Sequence, residues 1–253
     1  MTLLKSFLAA LSTYSVIPTP QFEWSSRSTQ YAICFFPAVG VLCGGALLGW
    51  YALCTVLGVS ETLFAVVAAC LPLLITGGIH MDGYMDTVDA LASHQPRERK
   101  LEILKDSCCG AFAVIYCGVY LLLGVGLYYE VFVREQVCTL APMFVLSRAL
   151  SALCAVTMPN ARKSGMLCAF TENTKREGAT AAMIIVALLA AVGMILLSPV
   201  AGVLGVLFGL ISVLWYRRMA RKQFGGVTGD TAGFFLQVCE LAVLLGVWIG
   251  GLI

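Results

Sequence analysis

Seven apolar runs of roughly bilayer length, at 31–53, 61–79, 110–129, 137–157, 178–197, 200–216 and 233–253, constrain this chain more than anything else in it. A helix of about 20 apolar residues spans the hydrocarbon core, where only intrahelical hydrogen bonding satisfies the backbone. The composition agrees: 60% hydrophobic residues and 12% charged, about half the charge of a soluble domain. The expected fold class is all-α, a polytopic integral membrane helical bundle of about seven transmembrane helices. An N-terminal interfacial segment, 1–30, precedes them and ends its apolar part at Pro18 and Pro20. We read residues 1–253 as a single membrane-embedded catalytic domain. The net charge of +2 is too small to imply a nucleic-acid partner, so the expected surroundings are the lipid bilayer and small molecules. Most of the eleven cysteines fall inside apolar runs, where cysteine acts as a small hydrophobe, and all are expected to be reduced.

The basic residues orient the bundle. Fourteen of the sixteen lysines and arginines lie before the first run or between runs two and three, four and five, and six and seven. Arg134 alone falls on the other side, and Arg148 lies within a run. By the positive-inside rule the N-terminus and the loops 80–109, 158–177 and 217–232 face the cytoplasm, and the C-terminus faces away. The polar chemistry is gathered on that one face. A transporter would instead carry polar groups midway through broken helices, so an enzyme drawing a soluble reactant from the cytoplasm is the better reading.

The densest chemistry is the stretch Thr76-Gly77-Gly78-Ile79-His80-Met81-Asp82-Gly83-Tyr84-Met85-Asp86-Thr87-Val88-Asp89. On a helix, Asp82, Asp86 and Asp89 fall within about 60° of one another. Three like charges on one face repel unless a cation sits among them. His80 reads as a base or a ligand. Lys105 and Asp106 form a charged pair where the chain re-enters the membrane, just before Gly110. In the third loop Gly225, Gly226, Thr228, Gly229 and Asp230 suit a backbone that approaches phosphate closely, with Asp230 a further carboxylate for a cation. Arg162 is a candidate for binding phosphate. Arg148, expensive within a span, should pair with an acid or reach a phosphate, and Glu240 in the last span invites the same question.

Together these segments resemble the cobalamin synthase family, the adenosylcobinamide-GDP ribazoletransferases. The matching pieces are Phe35-Phe36-Pro37 with Val39-Gly40, the stretch 76–91, the run from Arg99 to Gly110, Ser147-Arg148, Ala161-Arg162 with Gly165, and 225–233. Ala90 and Cys108-Cys109 depart from the family's usual residues without removing a carboxylate. The resemblance implies a Mg²⁺-dependent transferase late in cobamide assembly. It joins GDP-activated cobinamide to α-ribazole or its 5′-phosphate and releases GMP. Asp82, Asp86, Asp89, Asp106 and Asp230 are then metal candidates. His80, Asp82, Lys105 and Arg148 are catalytic candidates, and Arg162 and the 225–229 loop hold phosphate. The resemblance further implies a bacterial inner-membrane location, and it leaves open a homo-oligomer or association with other late cobamide-assembly enzymes. The nearest rival, a CDP-alcohol phosphotransferase, requires an aspartate where Ile79 stands and Ala-Arg where Met85-Asp86 stand.

Overall fold

The computed structural model describes residues 2–20, 29–106, 108–172 and 174–253. Arg27, counted above among the basic residues, and Ser107 lie outside the described residues. Among those described there are eleven α-helices and one 3-10 turn, and the only strand-like feature is an isolated bridge between Asn160 and Val227. In chain order the helices are α1 (Thr2–Tyr14), α2 (Phe36–Leu57), α3 (Glu61–Thr76), α4 (Ile79–Ala92), α5 (Arg97–Ile103), α6 (Ala111–Val133), α7 (Val137–Thr157), α8 (Met166–Glu172), α9 (Arg176–Leu197), α10 (Pro199–Gln223) and α11 (Gly229–Gly250). The 3-10 turn Ala32–Phe35 leads into α2.

Six helices (α2 with its leading turn, α6, α7, α9, α10 and α11) are long and apolar enough to cross a membrane alone. The protein is therefore a multi-pass helical membrane protein. The seventh expected span, 61–79, departs from expectation. It stops at Thr76, and the chain turns by 96° into α4. Gly77 and Gly78 both take left-handed backbone, at φ 63° and 77°. Two consecutive residues with a Cβ would resist that conformation, so the glycine pair fixes the bend. The stretch 80–109 is consequently no open loop but carries α4 and α5. The sixth span, expected to be short, belongs to the longest helix, because α10 continues through Arg217, Arg218, Arg221 and Lys222 to Gln223. Residues 217–232 thus reduce to a connection at 224–228.

α7 is the axis of the bundle, packed on α2, α9 and α11. In its most apolar window 72% of residues are buried, against 17% in α6 and α9. The outer helices turn Ile115, Leu122, Leu188 and Leu196 outward, as a lipid-facing surface requires. α1 buries Ser6, Ala9 and Ala10 and sets Tyr14 against Phe36, ring centroids 4.4 Å apart. All eleven cysteines are free thiols, as expected.

Candidate active site

Two glycines let α4 cross α11 closely enough to share a site. A Cβ at Gly83 would stand 2.8 Å from the carbonyl oxygen of Asp230, and one at Gly233 would stand 3.0 Å from that of His80. Any larger side chain would separate the helices. The crossing brings Asp82 and Asp86 of α4 beside Asp230 of α11. Asp86 feels Asp82, Asp230 and Asp89 as like charges and Arg162 as an attractive one.

Arg162 is held from both sides. One guanidinium nitrogen donates to Asp230 Oδ2 at 3.1 Å, and the other donates to the Leu101 carbonyl at 3.0 Å. The backbone brings it there: the Val227 amide donates to the Pro159 carbonyl and the Ala161 amide donates to the Val227 carbonyl, each at 2.9 Å. Thr228 caps α11 through a capping box with Thr231, accepting the Thr231 amide at 3.1 Å. The helix therefore opens with the amides of Gly229 and Asp230 as its first unpaired donors.

These groups line a cavity of about 220 Å³. Asp82, Arg162, Thr228, Gly229 and Asp230 stand in its wall, together with Tyr14, Ile33, Phe36 and His80. Sequence reasoning gave no site role to Tyr14, Ile33 or Asn160, which also line it. Phe36 was visible only as part of the Phe35-Phe36-Pro37 match.

Other expected site residues are placed differently. Gly225 and Gly226 pack protein on protein: their amides donate to the Arg221 and Ala220 carbonyls, and Gly225, at φ 77°, lies under the Arg97 guanidinium. They do not line the cavity, so the phosphate-facing part of the loop starts at Val227. Lys105 and Asp106 are exposed in the turn after α5, and Asp106 accepts the Cys108 amide at 3.0 Å. Glu102, nearby, makes only a surface pair with Arg99, and such pairs contribute little.

Asp89 faces a helix end. Its Oδ2 accepts the Gly110 amide at 2.6 Å and its Oδ1 accepts the Ala113 amide at 2.9 Å, so it caps α6 from α4. Asp89→Ala leaves two amides unpaired and is expected to cost about 2–3 kcal/mol. Thermal denaturation of the detergent-solubilised protein should show it as a lower Tm. Asp89→Asn, which keeps one acceptor, should fall between. An unchanged Tm in both would remove the capping role.

Arg148 stands one layer beneath the cavity. It is 1% exposed, donates to Glu240 Oε1 at 2.7 Å and to the Phe144 carbonyl at 3.0 Å, and sits 5.8 Å from the ring centre of Phe36. Ser147 also donates to Glu240, at 3.0 Å. Of the two roles expected for Arg148, acid pairing is the one the geometry provides.

Among the described residues, no group of three or more His, Cys, Asp or Glu side chains is arranged to hold a metal ion. Mg²⁺ does not ask for one. It keeps several waters and takes one or two carboxylates plus substrate phosphates. A pair of carboxylates drawn from Asp82, Asp86 and Asp230, close enough to repel one another, supplies the oxygen donors that such a cation takes.

The chain matches the family described as cobalamin-5-phosphate synthase over residues 6–248. It is 42% identical to an adenosylcobinamide-GDP ribazoletransferase of Lachnoclostridium phytofermentans over 249 residues, covering 98% of this chain and 95% of that one. It is 30% identical to the protein of that name from Clostridium botulinum, over 96% of each chain. The Acinetobacter baumannii protein of the same name is also 30% identical, over 94% of each. No solved structure matches it.

Proposed function

The chain belongs to the cobalamin-5-phosphate synthase family of transferases, and from that premise we propose that it joins GDP-activated cobinamide to α-ribazole or α-ribazole 5′-phosphate, with Mg²⁺, at the cytoplasmic face of the bacterial inner membrane. The observation that carries the reading is the convergence of Asp82, Asp230 and Arg162 in the wall of one cavity, with the Asp86 carboxylate coupled to all three from just outside it.

The ribose 3′-hydroxyl attacks the phosphorus that bears cobinamide. A new P–O bond forms, the bridging P–O bond breaks, and GMP leaves with the bridging oxygen. Asp82, the exposed carboxylate in the cavity wall, takes the hydroxyl proton on its side-chain oxygen. Arg162 and the Gly229 and Asp230 amides bind nonbridging phosphate oxygens, where charge builds in the transition state. Asp86 and Asp230 would hold Mg²⁺, which when bound neutralises charge on the diphosphate. His80, buried among aromatic rings, is left out of proton transfer in this scheme.

The test is incubation of the purified protein in liposomes with GDP-cobinamide, α-ribazole 5′-phosphate and Mg²⁺. GMP should appear only when all three are present. GMP formed without the riboside would make the protein a diphosphate hydrolase instead.

Orientation is tested separately. With His94→Cys in a background cleared of native cysteines, an impermeant thiol reagent should label position 94, which is exposed, only after the membrane is opened. Labelling from outside intact cells would invert the topology.

A further inference from the structure

The cavity has two chemically different ends, ordered along the α4–α11 crossing. At Gly83 and Asp230 it is charged, with Asp82 and Arg162 in the wall. One turn back, at His80 and Gly233, it is aromatic. There the His80 ring stacks on Tyr14 at 5.9 Å and lies 5.3 Å from Phe36, with Ile33 also in the wall. His80 is 5% exposed, and its two ring nitrogens are buried with no hydrogen-bond partner among the described residues.

We propose that this aromatic end seats the heteroaromatic base of the incoming α-riboside, the His80 ring turning one of its buried nitrogens toward the base to supply the hydrogen bond that it needs. This deepens the transferase reading above and rests on it.

Three observations select that occupant. A buried polar group without a partner is costly, and sites that keep one commonly satisfy it with ligand. The size of the cavity, about 220 Å³, lies below the range typical of sites for larger ligands. It admits a bicyclic base, whereas a corrin macrocycle must remain outside. The wall chemistry then separates the two bases in the reaction. A benzimidazole nucleoside has one free ring nitrogen, an in-plane acceptor, and is otherwise apolar. Neutral imidazole offers one N–H donor to meet it. Guanine carries several donors and acceptors on its edges, and burying these unmatched is unfavourable. Of the other polar side chains in the wall, Ser151 already donates to the Ala232 carbonyl, and Asn160 donates to Thr171 and is left with an acceptor, which cannot meet the ring nitrogen. The Tyr14 hydroxyl is the other donor at this end. With its base against Tyr14 and Phe36, the riboside places its sugar toward Asp82, two residues along α4.

The test compares two substrates in the full-length protein in liposomes: α-ribazole 5′-phosphate, and an analogue whose base carries CH in place of the free ring nitrogen. His80→Phe keeps a ring and removes the donor. It should raise KM for α-ribazole 5′-phosphate about tenfold, the factor of one lost hydrogen bond. KM for GDP-cobinamide and for the CH analogue should stay within about twofold. A KM change confined to GDP-cobinamide, or equal losses for both bases, would overturn the assignment. If His80→Phe fails to fold, the unmodified protein decides: equal KM for the two ribosides refutes the hydrogen bond. Equilibrium binding of α-ribazole, followed by the fluorescence of its base, separates this proposal from the reaction itself. Binding that His80→Phe weakens, with no GMP released by the unmodified protein, would sink the transferase reading and keep the base site. Riboside binding indifferent to both His80→Phe and Phe36→Leu would sink the base site.

Discussion

Asp82→Asn is expected to lower kcat by roughly a hundredfold or more, the scale of a lost general base, while the protein inserts and folds as before. The two halves of that expectation have different causes. Asparagine keeps the shape and one oxygen but cannot accept the proton of the attacking hydroxyl. Stability should hold or rise, because the substitution removes a like charge acting on Asp86 and Asp230. A GMP-release assay paired with a thermal melt therefore separates a chemical role from a structural one. Asp86→Asn should behave differently, raising the Mg²⁺ concentration needed for half-maximal rate and recovering part of its activity with excess metal. Wild-type turnover in Asp82→Asn would move proton acceptance within the cluster, to Asp230 first.

The second large effect is structural. Arg148→Ala leaves the Glu240 carboxylate buried without its cation, and breaking a buried pair costs about 3–5 kcal/mol. In a membrane the same imbalance also opposes insertion. We expect Arg148→Ala to accumulate poorly and melt early. Arg148→Lys should fall between, since it keeps charge but loses the planar guanidinium, of which one nitrogen donates to both Glu240 and the Phe144 carbonyl while the other faces the Cys43 sulfur. Arg148→Met combined with Glu240→Leu should recover most of the stability, because it removes both charges and fills the space. If that double variant also keeps its turnover, the pair serves packing beneath Phe36 alone. If Arg148→Ala melts like the unmodified protein, the pair contributes nothing.

The spans were legible because the bilayer demands long apolar helices, and 137–157 is read from sequence with the bounds the structure gives it. The errors come from taking the end of apolarity for the end of a helix. Arg217 and Arg218 close the apolar run at 216, but a backbone needs only water beyond that point, and α10 stays helical. The reverse happened at Gly77-Gly78, where the apolar run continues through Ile79 while the chain has already turned. Within the site, Asp82 and Asp86 share the face expected of them, because helical spacing is local. The capping role of Asp89 was invisible: its spacing is that of a third ligand, and its partners, Gly110 and Ala113, belong to another helix. Arg148 and Glu240 were each conspicuous as charges in spans. Their pairing joins positions 92 apart, a tertiary fact that no periodicity carries.

The bend after Thr76 also acts on the lipid. α3 has 16 residues, and at about 1.5 Å per residue it reaches only about 24 Å, short of the ~30 Å hydrocarbon core. Bilayers accommodate a short span by thinning around it. If α3 crosses alone, the bend that lays α4 across α11 would draw the headgroup level down toward the acidic crossing. A reactant carrying two phosphates would then meet its carboxylates and arginine at a dimple in the membrane, without having to enter hydrocarbon.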